Sequence, residues 1–89
     1  MTPEQRLAEM GIELPEPPPA AVSTYVPWVR TGNIVITSGQ LPWRDGVMAY
    51  AGKLGADLTV EEGYEAARLA ALNAIAQLKD AVGELSRVT

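Results

Sequence analysis

Neither cysteine nor histidine occurs in the 89 residues. Without cysteine no disulfide can staple the chain, and without either residue the usual nitrogen and sulfur ligands of structural zinc are missing. The Ser-His and Cys-His pairs of nucleophilic catalysis are excluded on the same ground. Basic residues are few, seven Lys and Arg against eleven Asp and Glu, for a net charge of −4. No block of like charge stands out, which argues against an electrostatic footprint for nucleic acid or an anionic membrane. Long apolar runs are absent too, since a bilayer span needs roughly 20 such residues. Met1-Thr2-Pro3-Glu4 lacks the basic start of a secretory signal. The expectation is a soluble, cytoplasmic protein without a metal. A chain this short buries only about three fifths to two thirds of its unfolded surface, so help from a partner is expected.

Turning to what is there, Thr2-Pro3-Glu4-Gln5 reads as a helix start, with Thr2 as N-cap, Pro3 at the first helical position and Gln5 completing a capping box. Leu7 and Met10 give this helix one apolar edge, and Gly11 suits a left-handed stop. So short a helix has to dock on something. Pro15-Glu16-Pro17-Pro18-Pro19 follows as a stiff spacer without the donors to enter a sheet. Residues 1–20 are thus a short docked helix and a proline-rich connector, within a single domain over 1–89.

The chain is organised around Asn33-Ile34-Val35-Ile36-Thr37-Ser38-Gly39-Gln40-Leu41-Pro42. Three consecutive β-branched apolar residues predict an extended strand covered on both faces. It delivers Ser38, Gly39 and Gln40 to a rim, where Gly39 allows close approach and its neighbours supply hydroxyl and amide groups. Tyr25 to Thr31 carries Pro27 and so belongs at a sheet edge, and Gly32-Asn33 turns it into the organising strand as a hairpin. That pairing can bring the Tyr25 phenol near Gln40.

Trp43-Arg44-Asp45-Gly46 has turn chemistry, with Val47 to Ala51 returning as a short strand. Arg44 could meet an anion, although a solvated turn arginine explains it as well. Gly52-Lys53-Leu54-Gly55 lacks the complete phosphate-loop pattern and reads as a flexible bend. Thr59-Val60-Glu61-Glu62 is a second capping box and the clearest helix start. Val60, Tyr64, Ala67, Ala71, Ile75, Leu78 and Val82 then recur as the expected inward stripe, flanked by the small residues Gly63, Ala70, Ala74 and Ala81. Leu69, Leu72 and Ala76 point to a second covered surface. Gly83 and Leu85 suit the helix stop, and Arg87-Val88-Thr89 reads as the start of another strand.

Tyr25-Val26, Gly32-Asn33 and Ile36-Thr37-Ser38-Gly39-Gln40-Leu41-Pro42 together resemble the signature of the Rid/YjgF superfamily, also called the endoribonuclease L-PSP family, from about Leu14 onward. The resemblance implies an α+β, chorismate-mutase-like fold in which a mixed sheet packs on helices. These residues would form its N-terminal portion, a β-hairpin and one long helix, incomplete at the C-terminus. It further implies a homotrimer with clefts between subunits that bind a small carboxylate ligand, and hydrolysis of reactive imines and enamines without a cofactor. Alternatives within the same resemblance are a non-catalytic binding trimer and a ribonuclease or translation inhibitor. Carried over, Tyr25 matches the tyrosine that closes over the ligand, Ser38 and Gly39 the donors at the cleft, and Gln40 the glutamine beside them. The arginine and carboxylate that complete the catalytic set would lie beyond Thr89, on a complementary C-terminal segment or chain.

Overall fold

A computed structural model describes residues 1–21 and 23–89. Helix α1 (Pro3–Glu9) opens with a reciprocal cap: Gln5 N–H donates to Thr2 Oγ1 (3.1 Å) and Thr2 N–H to Gln5 Oε1 (2.9 Å). Gly11 (φ 73°) provides the left-handed exit expected of it. Of the anticipated apolar edge, Leu7 is half-buried and Met10 is exposed.

Strands β1 (Trp28–Thr31) and β2 (Ile34–Thr37) form the antiparallel hairpin, with Thr31 opposite Ile34 across Gly32-Asn33. Gly32 sits at φ 56° while Asn33 keeps a negative φ, the pattern of a type II′ turn with glycine at its first corner. Strands β3 (Trp43–Arg44) and β4 (Val47–Met48) make a second, smaller hairpin, its corner formed by Asp45 and Gly46 at φ 52° and 79°. Both positive φ values suit a type I′ turn. The Gly52–Gly55 region closes on itself rather than hanging open: Lys53 carbonyl accepts from the N–H groups of Ala56, Asp57 and Leu58, and Lys53 N–H donates to Asp57 Oδ2.

Helix α2 (Val60–Val82) starts at the second capping box, with Thr59 Oγ1 accepting from Glu62 N–H and Glu62 Oε1 accepting from Thr59 N–H. The expected stripe turns inward only in its second half, where Ile75, Leu78 and Val82 are half-buried. Val60 and Tyr64 are 73% and 71% exposed, and Ala67 and Ala71 are exposed as well. The face against the hairpins runs through Gly63, Ala66, Ala70, Asn73 and Gln77 to Asp80, with Ala76 beside it. It repeats at steps of three and four, as the apolar stripe does, but is built from small and polar residues. Small side chains let loops come close: a methyl on Gly63 would lie 2.5 Å from Leu54 Cδ2. Trp28 ties the hairpin to this face by donating from Nε1 to Asp80 Oδ2 (2.9 Å).

Beyond the Gly83 cap (φ 86°), Leu85–Arg87 form one 3-10 turn instead of the start of a strand. Leu85 is buried as the hydrophobic companion of that cap. Its N–H, free because the turn pairs with no sheet, donates to Glu4 Oε2 (2.9 Å) and docks α1. That hydrogen bond holds the Glu4 carboxyl below its usual range, with burial acting in the opposite direction. A depressed carboxyl contributes stability above its unfolded pKa and loses it as pH falls through the folded value. The Leu85 amide proton shift should therefore titrate with a midpoint below 4.5, and Glu4→Gln should remove the transition. A midpoint at or above 4.5 would contradict the docking contact.

The expectation of a strand covered on both faces fails within this chain. Val35 and Thr37 face α2, while Ile34 and Ile36 are 59% and 58% exposed and lie beside exposed Val29. Accessible surface totals 6357 Å², where a compact monomer of this mass shows about 5,000 Å². The radius of gyration, 14.1 Å, exceeds the roughly 12 Å of a compact chain of this length. The class is α+β, with both described sheets antiparallel, and among the described residues no helix is long and apolar enough to cross a membrane.

Candidate functional site

The β2 strand ends where its last ladder bond is doubled: Pro27 carbonyl accepts from both Ser38 N–H (2.9 Å) and Ser38 Oγ (3.2 Å). Ser38 is thereby stitched to the edge strand, and its own carbonyl accepts from Gln40 Nε2 (3.3 Å). Gly39 and Gln40 then pass into a shallow recess whose other walls are Pro19, Ala20, Ala21, Tyr25, Leu41 and Trp43. Tyr25, Gly39 and Gln40, three of the four residues selected from the sequence, share this recess. The fourth, Ser38, does not line it and acts on it through Gln40.

Sequence reasoning missed the proline connector as a wall. The connector passes over the recess because Gln77 Nε2 donates to Pro19 carbonyl (2.7 Å), a contact between residues 58 positions apart. Gln77 Nε2 also donates to Gln40 Oε1 (3.4 Å). One turn earlier, Asn73 Nδ2 donates to the carbonyls of Leu41 (2.8 Å) and Trp43 (3.0 Å). Both amides are 1% exposed, and their oxygens, Asn73 Oδ1 and Gln77 Oε1, take no donor among the described residues. An i, i+4 pair of amides interrupting an alanine-rich face was the available signal.

The enclosed space is about 20 Å³, room for a water molecule but not for an amino-acid-sized ligand. Among the described residues no charged side chain lines it. The recess therefore offers a phenol, an amide, main-chain groups and an aromatic wall, but no fixed cation for a carboxylate and no general base. It can be one wall of a small-molecule site and not the whole of one.

These elements define a class. Residues 4–89 match the family described as "YjgF/chorismate mutase-like, putative endoribonuclease", and the chain belongs to that family. The match begins ten residues before Leu14, so α1 and the connector belong to the shared region as well. A crystal structure from Shewanella oneidensis, described as a putative endoribonuclease, superposes with a TM-score of 0.91 at 57% identity, covering 98% of this chain and 57% of that one. A protein of unknown function from Agrobacterium tumefaciens gives 0.79 at 44% identity, covering 93% and 50%. Among curated proteins, "Protein TCP17" of Trypanosoma cruzi is 44% identical over 82 residues, 92% of this chain and 51% of that protein. The chain thus spans about half the length of the relatives it matches.

Proposed function

We propose that the recess is one wall of a cleft in which reactive 2-imino and 2-enamino acids are hydrolysed to 2-oxo acids and ammonia. The observation that carries this reading is the meeting of Tyr25, Gly39 and Gln40, separated by up to fifteen positions, on a neutral concave surface open on one side. In the reaction water adds across C=N, the C–N bond breaks, and the amine leaves as ammonia. Tyr25 closes over the ligand, Gly39 presents main-chain groups, and Gln40, held by Ser38 and Gln77, orients the polar end. The carboxylate anchor and the group that activates water come from structure outside this chain, in a homotrimer whose subunit boundary completes the cleft. The bare Val29, Ile34 and Ile36 surface and the excess of exposed area support such an assembly.

The descriptions carried by the family and by the Shewanella structure favour a second reading, an endoribonuclease, over the deaminase. The net charge of −4 and the absence of basic residues among the described residues of the recess speak against it.

The two separate in one experiment on the intact protein. With an imino acid generated in situ, 2-oxo acid release is expected to exceed the spontaneous rate, and Tyr25→Phe to lower it by about tenfold or more. Cleavage of single-stranded RNA that weakens with salt, without acceleration of imine hydrolysis, would move the assignment to the second reading.

A further inference from the structure

Gln77 has an environment that its place on a helix does not explain. It is 1% exposed, although its side chain is an amide, on a face it shares with Gly63, Ala66, Ala70, Asn73 and Asp80. An amide in such a position costs free energy unless its groups are paired, and a methionine would fill the same space without that cost. Both N–H bonds of the side chain are used, one on Pro19 carbonyl at 2.7 Å and one on Gln40 Oε1 at 3.4 Å. Pro19 and Gln40 both line the same recess. Pro19 cannot be held by a ladder bond, because proline has no N–H and the connector lies in no sheet. Gln40 is gripped from its other end, Nε2 to Ser38 carbonyl, so its amide orientation is set from both sides. The orientation of the Gln77 amide is likewise dictated, since turning it over would place Oε1 against the Pro19 carbonyl oxygen.

We infer that Gln77 is a positioning residue: from behind the recess it clamps the proline connector to Gln40 and so sets the width of the mouth and the direction of the Gln40 amide. It touches no ligand. The inference deepens the small-molecule reading above, and only its binding arm rests on that reading.

The test compares Gln77→Met with Leu85→Ala, which empties a buried position in the 3-10 turn beyond α2, both in the intact protein labelled with nitrogen-15. In Gln77→Met the backbone amide resonances of Ala20, Ala21, Gly39 and Gln40 are expected to leave their wild-type positions, and affinity for a 2-oxo acid such as pyruvate to fall about tenfold, the weight of one or two oriented hydrogen bonds. In Leu85→Ala those four resonances and the affinity should hold. Unmoved resonances in Gln77→Met, or the same displacement in Leu85→Ala, would overturn the role. Should Gln77→Met fail to fold, the wild type still decides: its Gln77 side-chain amide protons should exchange slowly with solvent and show short-range contacts to Gln40, and rapid exchange would overturn the clamp. A wild type that binds no 2-oxo acid would count against the small-molecule reading, with the resonances still deciding the positioning role.

Discussion

Asn73→Asp is expected to unfold the protein at neutral pH. The side chain is 1% exposed and both of its N–H bonds serve main-chain carbonyls, those of Leu41 and of Trp43 in β3. Aspartate fills the same volume but brings only acceptors to that point, so the Trp43 carbonyl loses its side-chain donor, the Leu41 carbonyl keeps only the N–H of Trp43, and both face an anion. Each orphaned group costs about 1–3 kcal/mol, and an unpaired buried charge adds about 3–5 kcal/mol. With one carbonyl orphaned the sum is about 4–8 kcal/mol, comparable with the lower part of the stability of a small domain, roughly 5–15 kcal/mol. The direction with pH follows from linkage. Burial without donors raises the introduced carboxyl above its unfolded value of about 3.9, so the folded form binds the proton more tightly and stability recovers as pH falls. Once protonated, the group can donate to one of the two carbonyls. Thermal melting at pH 7 and pH 4 checks this against Asn73→Leu, which loses the same bonds but should show no added pH dependence. Wild-type melting of Asn73→Asp at pH 7 would show that Asn73 does not hold these segments.

The second large effect is expected on the opposite side of β2. Ile36 is more than half exposed in this chain, and a lysine at such a surface position ordinarily changes stability by no more than about 0.5 kcal/mol. If the Val29, Ile34 and Ile36 surface is a subunit contact, Ile36→Lys instead buries a charge and forfeits about 1.5–3 kcal/mol of apolar burial in every copy of the interface. Sedimentation equilibrium should then give a particle of one subunit where the wild type gives several, and melting should lose its dependence on protein concentration. A variant of unchanged mass and melting temperature would show the face to be solvated and would remove the support it lends to a shared cleft.

Much of the local architecture was legible in the residues. Thr2 and Thr59, each followed three positions later by Gln5 or Glu62, specify helix starts through contacts within one turn, and both boxes form as read. Gly32-Asn33 and Asp45-Gly46 act within four residues, and the turns they favour are the turns present. The meeting of Tyr25 with Gln40 was accessible for the same reason, because a hairpin register carries one end to the other.

The face of α2 was not accessible in this way. Two stripes with the same spacing run along the helix; hydrophobicity selects Val60, Tyr64, Ala67, Ala71, Ile75, Leu78 and Val82, of which only the last three are half-buried, while the chain buries Asn73 and Gln77 and half-buries Ala66 and Ala70. The difference lies in what packs there. The carbonyls of Pro19, Leu41 and Trp43 face the helix there and take its amide donors, so donors and close approach count for more than apolar bulk. Likewise Arg87-Val88-Thr89 has no strand to pair with here, and Leu85 N–H goes to Glu4 instead.

Helix caps, turns and the hairpin register are consequences of neighbouring residues meeting their own backbone, and they could be written down from the order of amino acids. Which side of α2 is inside, that Ser38 is tied to Pro27, and that a proline connector becomes a wall beside Gln40 depend on contacts across 11 to 58 positions. Such contacts are chosen by which carbonyls face a side-chain donor once the local elements have formed, and that arrangement exists only in the assembled chain.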